Sequence, residues 1–296
     1  MSSSKIIISI EGPTASGKTA LSIDLAQKLG TEIVSTDSRQ CYKEMEIGTA
    51  VPSLEERAKV KHHMIQSHSI AQPLNAGTFS IEARNNIDKL FTKNEIVVLV
   101  GGSPLYTEAL LFGLDELPQI DKAIVESTRE LTLEELQQKL KDCDPHFYDT
   151  IDHMNRRRLE RAVQIFEQTG KTFSHHINKP RKKPDFEIKR FRIDWERETL
   201  YYRINKRVDL MLDQGLEQEA HALWMKDNEL VKATVGYYEW FEFFEKRCSK
   251  DEAIAAVKQH SRNFAKRQLT WYRKAREMEV LSNKDPLSQL LNRIKR

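Results

Sequence analysis

The stretch GPTASGKT near the start of the chain has the spacing of a phosphate-binding loop. Two glycines separated by four residues, then a lysine and a hydroxyl residue, make up the pattern. Backbone N–H groups of such a loop surround a phosphate, the lysine neutralises it, and the hydroxyl can ligate Mg²⁺. The pattern predicts a phosphate-bearing ligand without identifying it. The residues concerned are Gly12, Pro13, Thr14, Ala15, Ser16, Gly17, Lys18 and Thr19, with Mg²⁺ expected at Thr19.

Two further polar residues follow predicted strands. Asp37, in STDSRQ, can either cap the next turn or act as a general base. Ser103, in VGGS, is either a turn residue or a hydroxyl donor to a leaving oxygen. Because functional loops of a parallel sheet lie at the carboxyl ends of its strands, both residues should share one crevice with the phosphate loop.

The strand IVVLVGGS lacks a residue that nucleotide hydrolysis normally needs. Enzymes of that class carry an acid at the end of a second buried strand, where it holds the magnesium shell. Here the strand ends in two glycines and a serine. The absence weakens the ATPase interpretation, although a phosphate-loop kinase that transfers phosphate from ATP to a nucleoside or small molecule remains an alternative.

Basic residues are concentrated between His153 and Arg192, a segment that contains twelve Lys and Arg but only four Asp and Glu. That segment has a net charge of +8, which leaves −5 on the rest of a chain whose total is +3. Such a block indicates a polyanion-binding surface, or else a solvated helix face beside a charged linker.

Two predicted helices carry further cations. Arg203 and Arg207 are four residues apart, so both project from one helix face and suit either a phosphate clamp or surface salt bridges. The long helix near the end of the chain has a cationic side that could line a nucleic-acid channel or face water. Its opposite half is expected to pack inward and holds Phe264, Ala265, Leu269, Trp271 and Tyr272.

The first hundred residues alternate β-branched runs with helical patterns, which predicts βαβ units and a parallel α/β sheet flanked by helices. From about Leu117 the sequence becomes charged and helix-forming, and KRFRIDW then returns to the sheet. We therefore predict a core of 1–117 and 188–296, with an all-helical insertion at 118–187. Everything after the returning strand is expected to be helical.

Composition places the chain among ordinary globular proteins, with 39% hydrophobic and 31% charged residues. Three cysteines about a hundred residues apart suit neither a disulfide framework nor a metal site. No apolar run approaches the length of a membrane span. We expect a soluble, cytoplasmic protein, and nothing requires more than a monomer.

Taken together, the motifs resemble the tRNA dimethylallyltransferase (isopentenyltransferase) family in its short bacterial form. The order and spacing of the matching segments are very specific and cover nearly the whole chain. The segments are GPTASGKT, DSRQCYKEMEIGTAVP, HHMIQ, NAGTFSIEA, VGGSPLY, RRLERAVQIFEQTGKTFS, RINKRVDLMLDQGLEQE, VGYYE and AKRQLTWYR.

The resemblance implies a P-loop NTPase-like core with a helical insertion that grips the anticodon stem-loop of tRNA. It implies transfer of the dimethylallyl group of dimethylallyl diphosphate, with Mg²⁺ as cofactor. The acceptor would be N6 of the adenosine 3′-adjacent to the anticodon, in tRNAs that read codons starting with U. The base would be flipped out of its stack to reach the donor.

The resemblance also implies roles for individual residues. Asp37 would be the general base, Ser103 would hydrogen-bond the bridging oxygen, and Arg207 would clamp the diphosphate held by the phosphate loop. The tRNA-contacting residues would be Asp37, Ser38, Arg39, Gln40, Ser103, Arg157, Arg158, Leu159, Glu160, Arg161, Ala233, Thr234, Val235, Gly236, Tyr237 and Tyr238.

The sequence departs from the family pattern at Pro104, Arg156 and Tyr238. An RNA-binding protein with a vestigial phosphate site is a further, non-enzymatic alternative. It would bind tRNA without turnover.

Overall fold

The computed structural model describes residues 5–177, 184–275 and 277–294. The chain folds into two compact units, Met1–Leu111 with Pro184–Arg296, and Phe112–Lys183. The boundaries predicted from the sequence, 118 and 187, lie close to this division. Glu187 is already the first residue of a core strand.

The larger unit is built on a parallel sheet, which confirms the predicted α/β fold class. Within the described residues the sheet has six strands in the order β3-β2-β4-β1-β5-β6, all parallel to their neighbours. The strands are β1 (Ile6–Glu11), β2 (Ile33–Ser35), β3 (His62–His63), β4 (Ile96–Gly101), β5 (Glu187–Asp194) and β6 (Met278–Ser282). β1 is hydrogen-bonded on both sides, and its apolar run IIISI is buried accordingly.

Helices flank this sheet. The first helix, Lys18–Leu29, is preceded by Gly17 (φ 90°) of the phosphate loop and followed by Gly30 (φ 62°). Both glycines lie in the left-handed region that glycine tolerates. Among the described residues no helix is both long and apolar enough to cross a membrane. The helices of this unit are α1 (Lys18–Leu29), α2 (Leu54–Lys59), α3 (Ala76–Leu90), α4 (Pro104–Phe112), α10 (Arg197–Asp213), α11 (Leu216–Trp224), α12 (Glu229–Lys232), α13 (Tyr238–Phe244), α14 (Lys250–Lys274) and α15 (Pro286–Ile294).

The prediction that everything after β5 is helical is wrong at one place. Met278–Ser282 forms β6, which pairs with β5 and buries Leu281 in the core cluster of Ile10 and Phe191. A five-residue strand at a sheet edge has too little alternation to be distinguished from the end of the preceding helix.

The smaller unit is helical in its described part, as predicted. Its core contains Leu136, Leu140, Leu159 and Val163, with Phe147 and Phe173 against it. The helices are α5 (Lys122–Glu130), α6 (Leu133–Cys143), α7 (Pro145–Tyr148), α8 (Arg156–Thr169) and α9 (Phe173–His176).

Candidate active site

The loops that follow β1, β2 and β4 line one cavity of about 290 Å³. These strands are consecutive in the sheet, so their carboxyl ends bring the three loops side by side. The cavity contains many of the predicted site residues: Thr14, Lys18, Thr19, Asp37, Ser38, Arg39, Gln40, Ser103, Arg207, Ala233, Thr234, Val235 and Gly236.

The phosphate loop is held from behind through its carbonyl groups. Arg203 Nε donates to the carbonyl of Ala15 at 2.8 Å, and Trp195 Nε1 donates to that of Ser16 at 2.9 Å. The Arg203 guanidinium also stacks on the Trp195 ring. Among the described residues, no hydrogen bond engages the N–H groups of Ala15, Ser16 and Gly17. The loop therefore keeps its anion-binding donors available.

Only one member of the predicted arginine pair faces the cavity. Arg207 lines it and donates from Nη1 to the Thr14 hydroxyl at 3.4 Å. Arg203 instead supports the loop, so the clamp interpretation is corrected for that residue.

Two cations in the cavity are electrostatically perturbed. The pKa of Lys18 is lowered to about 7, mainly by burial and then by the neighbouring charge of Arg207, while Asp37 opposes the shift. Burial also lowers the pKa of Arg207, again against the effect of Asp37. An incoming diphosphate would compensate both buried charges.

The geometry of Asp37 is compatible with both roles that its sequence position left open. Its Oδ1 accepts the backbone N–H of Arg39 at 2.9 Å and that of Gln40 at 3.3 Å, which caps the turn after β2. Its Oδ2 accepts no hydrogen bond from the described residues, and the side chain lines the cavity. One oxygen caps the turn, and the other is unengaged.

Ser103 connects the loops after β4 and β2. Its Oγ accepts the N–H of Ser38 at 2.9 Å and donates to the Ser38 hydroxyl at 3.0 Å. The hydroxyl is therefore bonded to the residue next to Asp37, and it must rotate to donate to a substrate oxygen.

Steric crowding explains why β4 carries no acid at its end. A Cβ at Gly101 would overlap the Thr36 hydroxyl and lie 2.8 Å from the Thr36 carbonyl carbon. Thr36 is fixed there, since its N–H bonds the carbonyl of Val100 at 2.7 Å. No residue with a side chain fits at this position without rearrangement.

Sequence reasoning missed Gln268. It is nearly fully buried on α14, and its side-chain amide contacts both Thr14 and Gly102. The signal was present, because Gln268 lies on the same buried helix face as Ala265 and Tyr272, where a polar residue needs a partner.

Sequence reasoning also missed Glu219, which holds a segment of the cavity wall in place. Its carboxylate accepts the N–H groups of Glu46, Ile47 and Gly48 at 2.9 to 3.0 Å, and the Tyr237 hydroxyl at 2.7 Å. Gly48 itself lines the cavity.

The prediction that Tyr237 contacts tRNA is corrected by its burial, whereas for Tyr238 it stays a prediction. Tyr237 is fully buried, and a Cβ on Gly48 would lie 2.5 Å from its ring. The Tyr238 hydroxyl hydrogen-bonds His260 Nδ1 at 2.9 Å. The cavity-lining part of this segment is Ala233–Gly236.

In the smaller unit, the predicted tRNA-binding run divides by exposure. Arg157 and Arg158 are exposed, and no ion pair within the described residues holds them. The prediction that Leu159 contacts tRNA is corrected, because its side chain is fully buried in the helical core. Glu160 pairs with Arg156 at 2.8 Å, and Arg161 donates to the carbonyl of Pro118.

The basic block is not one continuous surface. Arg190 is buried on β5, where it forms paired hydrogen bonds with Glu11 at 2.8 and 2.9 Å, and it contacts Glu108 at 2.8 Å. Arg192 pairs with Asp194. The predicted members Lys179, Arg181, Lys182 and Lys183 lie outside the described residues.

Two of the departures from the family pattern, Pro104 and Arg156, have local explanations. Pro104 is the first residue of α4, a position that suits proline because its missing N–H would be unsatisfied there. Arg156 donates to the carbonyls of Arg129 and Leu131.

On α14, Trp271 is 40% exposed, so its predicted inward packing is wrong.

Thr19 is suited to a metal that arrives with a phosphate ligand. Its side chain lines the cavity and makes no hydrogen bond to the described residues. Across residues 5–177, 184–275 and 277–294, no group of three His, Cys, Asp or Glu side chains could hold a metal. A hydroxyl completed by diphosphate oxygens and water is the kind of site that Mg²⁺ uses.

The family model described as IPP transferase matches residues 40–275. The chain is 45% identical over 282 residues to the tRNA dimethylallyltransferase of Christiangramia forsetii, covering 93% of each protein. It is 43% identical over 280 residues to that of Flavobacterium johnsoniae, covering 91% of each.

Solved structures agree with this similarity. The full-length tRNA isopentenylpyrophosphate transferase of Bacillus halodurans has a TM-score of 0.74 at 30% identity, covering 98% of this chain and 96% of that one. A eukaryotic dimethylallyltransferase captured acting on tRNA has a TM-score of 0.83 at 26% identity, covering 99% of this chain and 79% of that one.

Proposed function

The chain belongs to the IPP transferase family, and we propose that it transfers the dimethylallyl group of dimethylallyl diphosphate to tRNA. The acceptor is N6 of the adenosine 3′-adjacent to the anticodon, in tRNAs that read codons starting with U. The observation that carries this proposal is the cavity, which joins a phosphate loop to a carboxylate with one oxygen free. A chain that only binds RNA has no need for that pairing.

The roles of the residues follow from the charges that change during the reaction. N6 attacks the allylic carbon, the C–O bond breaks, and the bonding electrons leave with the diphosphate. The proton lost from N6 passes to Asp37 Oδ2. Negative charge grows on the leaving oxygens, so Lys18 and Arg207 bind the transition state more tightly than the ground state. Ser103 donates to the bridging oxygen after its hydroxyl rotates.

Mg²⁺ is proposed as a cofactor held by the Thr19 hydroxyl together with diphosphate oxygens. When bound, it would supply further neutralisation of the leaving group. The phosphate loop orients the diphosphate through the N–H groups that the described structure leaves unengaged. The apolar wall of the cavity, which includes Ile65, Val208 and Phe264, excludes water from the reacting carbon.

The polynucleotide partner is proposed to be the anticodon stem-loop. The residues that support this are Ser38–Gln40 and Ala233–Gly236 at the cavity, and the exposed Arg157 and Arg158 in the smaller unit. The target base must leave its stack to reach Asp37, at a cost of a few kcal/mol. We also propose that the enzyme works as a monomer.

The test incubates the protein with Mg²⁺, labelled dimethylallyl diphosphate and unmodified tRNA. We expect label in the RNA, and N6-dimethylallyladenosine at the adenosine next to the anticodon when the digest is analysed by mass spectrometry. A matched tRNA with guanosine at that position should stay unlabelled. Transfer of the terminal phosphate of ATP to a small acceptor, without RNA labelling, would instead support the kinase alternative.

A further inference from the structure

Gln268 connects two loops that the reaction uses separately. Its Oε1 accepts the N–H of Thr14 at 3.0 Å, and its Nε2 donates to the carbonyl of Gly102 at 2.6 Å. The partners fix the amide orientation, because a backbone N–H can only donate and a carbonyl can only accept. Both ends of one buried side chain are therefore committed to the active-site loops.

The connection continues beyond Gln268 in both directions. Thr14 belongs to the phosphate loop and receives a hydrogen bond from Arg207. Gly102 precedes Ser103, whose hydroxyl bonds both the N–H and the hydroxyl of Ser38. Ser38 in turn follows Asp37, so the series of hydrogen-bonded residues runs from the diphosphate cradle to the base.

The neighbourhood of Gln268 leaves little room for another arrangement. A Cβ on Gly102 would lie 2.7 Å from Gln268 Nε2 and 3.7 Å from Asp37 Oδ2. The glycine is therefore needed for the amide to reach the carbonyl. The amide of Gln268, the backbone at Gly102 and the free Oδ2 of Asp37 therefore lie in one small region.

We propose that Gln268 is a positioning residue that sets the spacing between the phosphate loop and the Asp37–Ser103 pair. It acts through these loops, because its amide is hydrogen-bonded to both of them. Its effect on turnover rests on the proposed function, whereas the connection between the loops does not. Misplacement of reacting groups by about 1 Å can cost on the order of 100-fold in rate.

Two substitutions separate positioning from packing. Gln268→Met keeps a similar volume and loses both hydrogen bonds. Gln268→Glu keeps the acceptor for Thr14 but places a carboxylate against the Gly102 carbonyl, so its proton affinity rises. Once protonated, the glutamic acid can again donate to Gly102 while accepting from Thr14.

The experiment measures single-turnover transfer from dimethylallyl diphosphate to tRNA over a range of donor concentrations and across a pH series. We expect Gln268→Met to lower the rate about 10- to 100-fold with KM for the diphosphate little changed. The rate of Gln268→Glu relative to wild type should rise as pH falls, while the Gln268→Met ratio stays flat. A wild-type rate in Gln268→Met, or a flat ratio for both variants, would overturn the proposal.

A second measurement is independent of activity. Hydrogen–deuterium exchange of the free protein should rise in Gln268→Met at both 12–17 and 101–103, because each loop loses an anchor. Unchanged exchange in both loops would show that no such connection exists. A wild type that transfers nothing would refute the proposed function, and the exchange measurement would still decide the role of Gln268.

Discussion

Lys18 Nζ donates a hydrogen bond to the carbonyl of Pro13 at 2.6 Å, five residues earlier in the phosphate loop. The cation expected to neutralise the diphosphate is therefore bound to its own loop. The ammonium has two further donors, which remain for an anion that enters the cavity. Because the pKa of Lys18 is lowered to about 7, mainly by burial, binding of the anion is coupled to a proton.

That coupling predicts how diphosphate binding depends on pH. Below about pH 7 the free lysine is already charged, and binding takes up no proton at this site. Above that pH the lysine must gain a proton to pair with the diphosphate, so affinity should fall by up to about tenfold per pH unit. Calorimetry in buffers of different ionisation enthalpy should detect the proton uptake at about pH 8.

The diphosphate also titrates, and Lys18→Arg separates the two effects. Arginine keeps its charge across this range, so the variant retains only the contribution of the ligand. We expect the proton uptake above the lysine pKa to be lost in Lys18→Arg. Equal uptake in the two proteins would contradict the assignment to Lys18.

Asp37→Asn should lower the transfer rate by about 10² to 10⁴, the usual contribution of a positioned base. The amide oxygen of asparagine can still accept the N–H groups of Arg39 and Gln40, so the turn should stay intact. Single-turnover labelling of tRNA measures the rate. Asp37→Ala, which also loses the turn cap, should additionally lower the urea midpoint. Full activity in Asp37→Asn would remove Asp37 as the base.

The fold was predictable because its signals are local. A buried run, a glycine loop and a helix identify β1 and α1 without any distant partner. Asp37 and Ser103 could be placed in one crevice, because both follow strands of the same parallel sheet. Resemblance to a family assigned them roles that spacing alone left open.

The parts that were missed depend on interactions between distant segments. Gln268 meets Thr14 across 254 positions of the chain. Arg203 and Arg207 have equivalent spacing on α10, yet one supports the loop and the other lines the cavity. Charge counting grouped Arg190 with exposed cations, although its partner Glu11 lies 179 positions away. No local pattern carries such information.

Arg190 and Arg192, two residues apart on β5, should differ sharply in their contribution to stability. Arg190→Met leaves the buried Glu11 without its cation, and we expect the free energy of unfolding to fall by about 3 to 5 kcal/mol. Arg192→Met removes a pair whose Asp194 side chain is exposed, so its cost should be about 0 to 1 kcal/mol. Urea denaturation compares the two, and equal losses would contradict the buried ionic cluster.

The three consecutive arginines at the start of α8 predict a separation of stability from tRNA affinity. Arg157 and Arg158 are exposed, whereas Arg156 donates to the carbonyls of Arg129 and Leu131 and pairs with Glu160. Replacing Arg157 and Arg158 together with Gln should weaken tRNA binding. The slope of log affinity against log salt should fall by about 1 for each tRNA phosphate that the variant no longer neutralises.

Arg156→Gln is the matched control, since it removes the same charge at the adjacent position. Its hydrogen bonds to carbonyls are lost, so the melting temperature of the protein should fall, while the salt slope should change little. The Arg157→Gln, Arg158→Gln variant should show the opposite, with an unchanged melting temperature. Filter binding over a salt series and a thermal melt measure the two quantities. If all three arginines alter the salt slope equally, α8 binds tRNA through its net charge and not through its two exposed arginines.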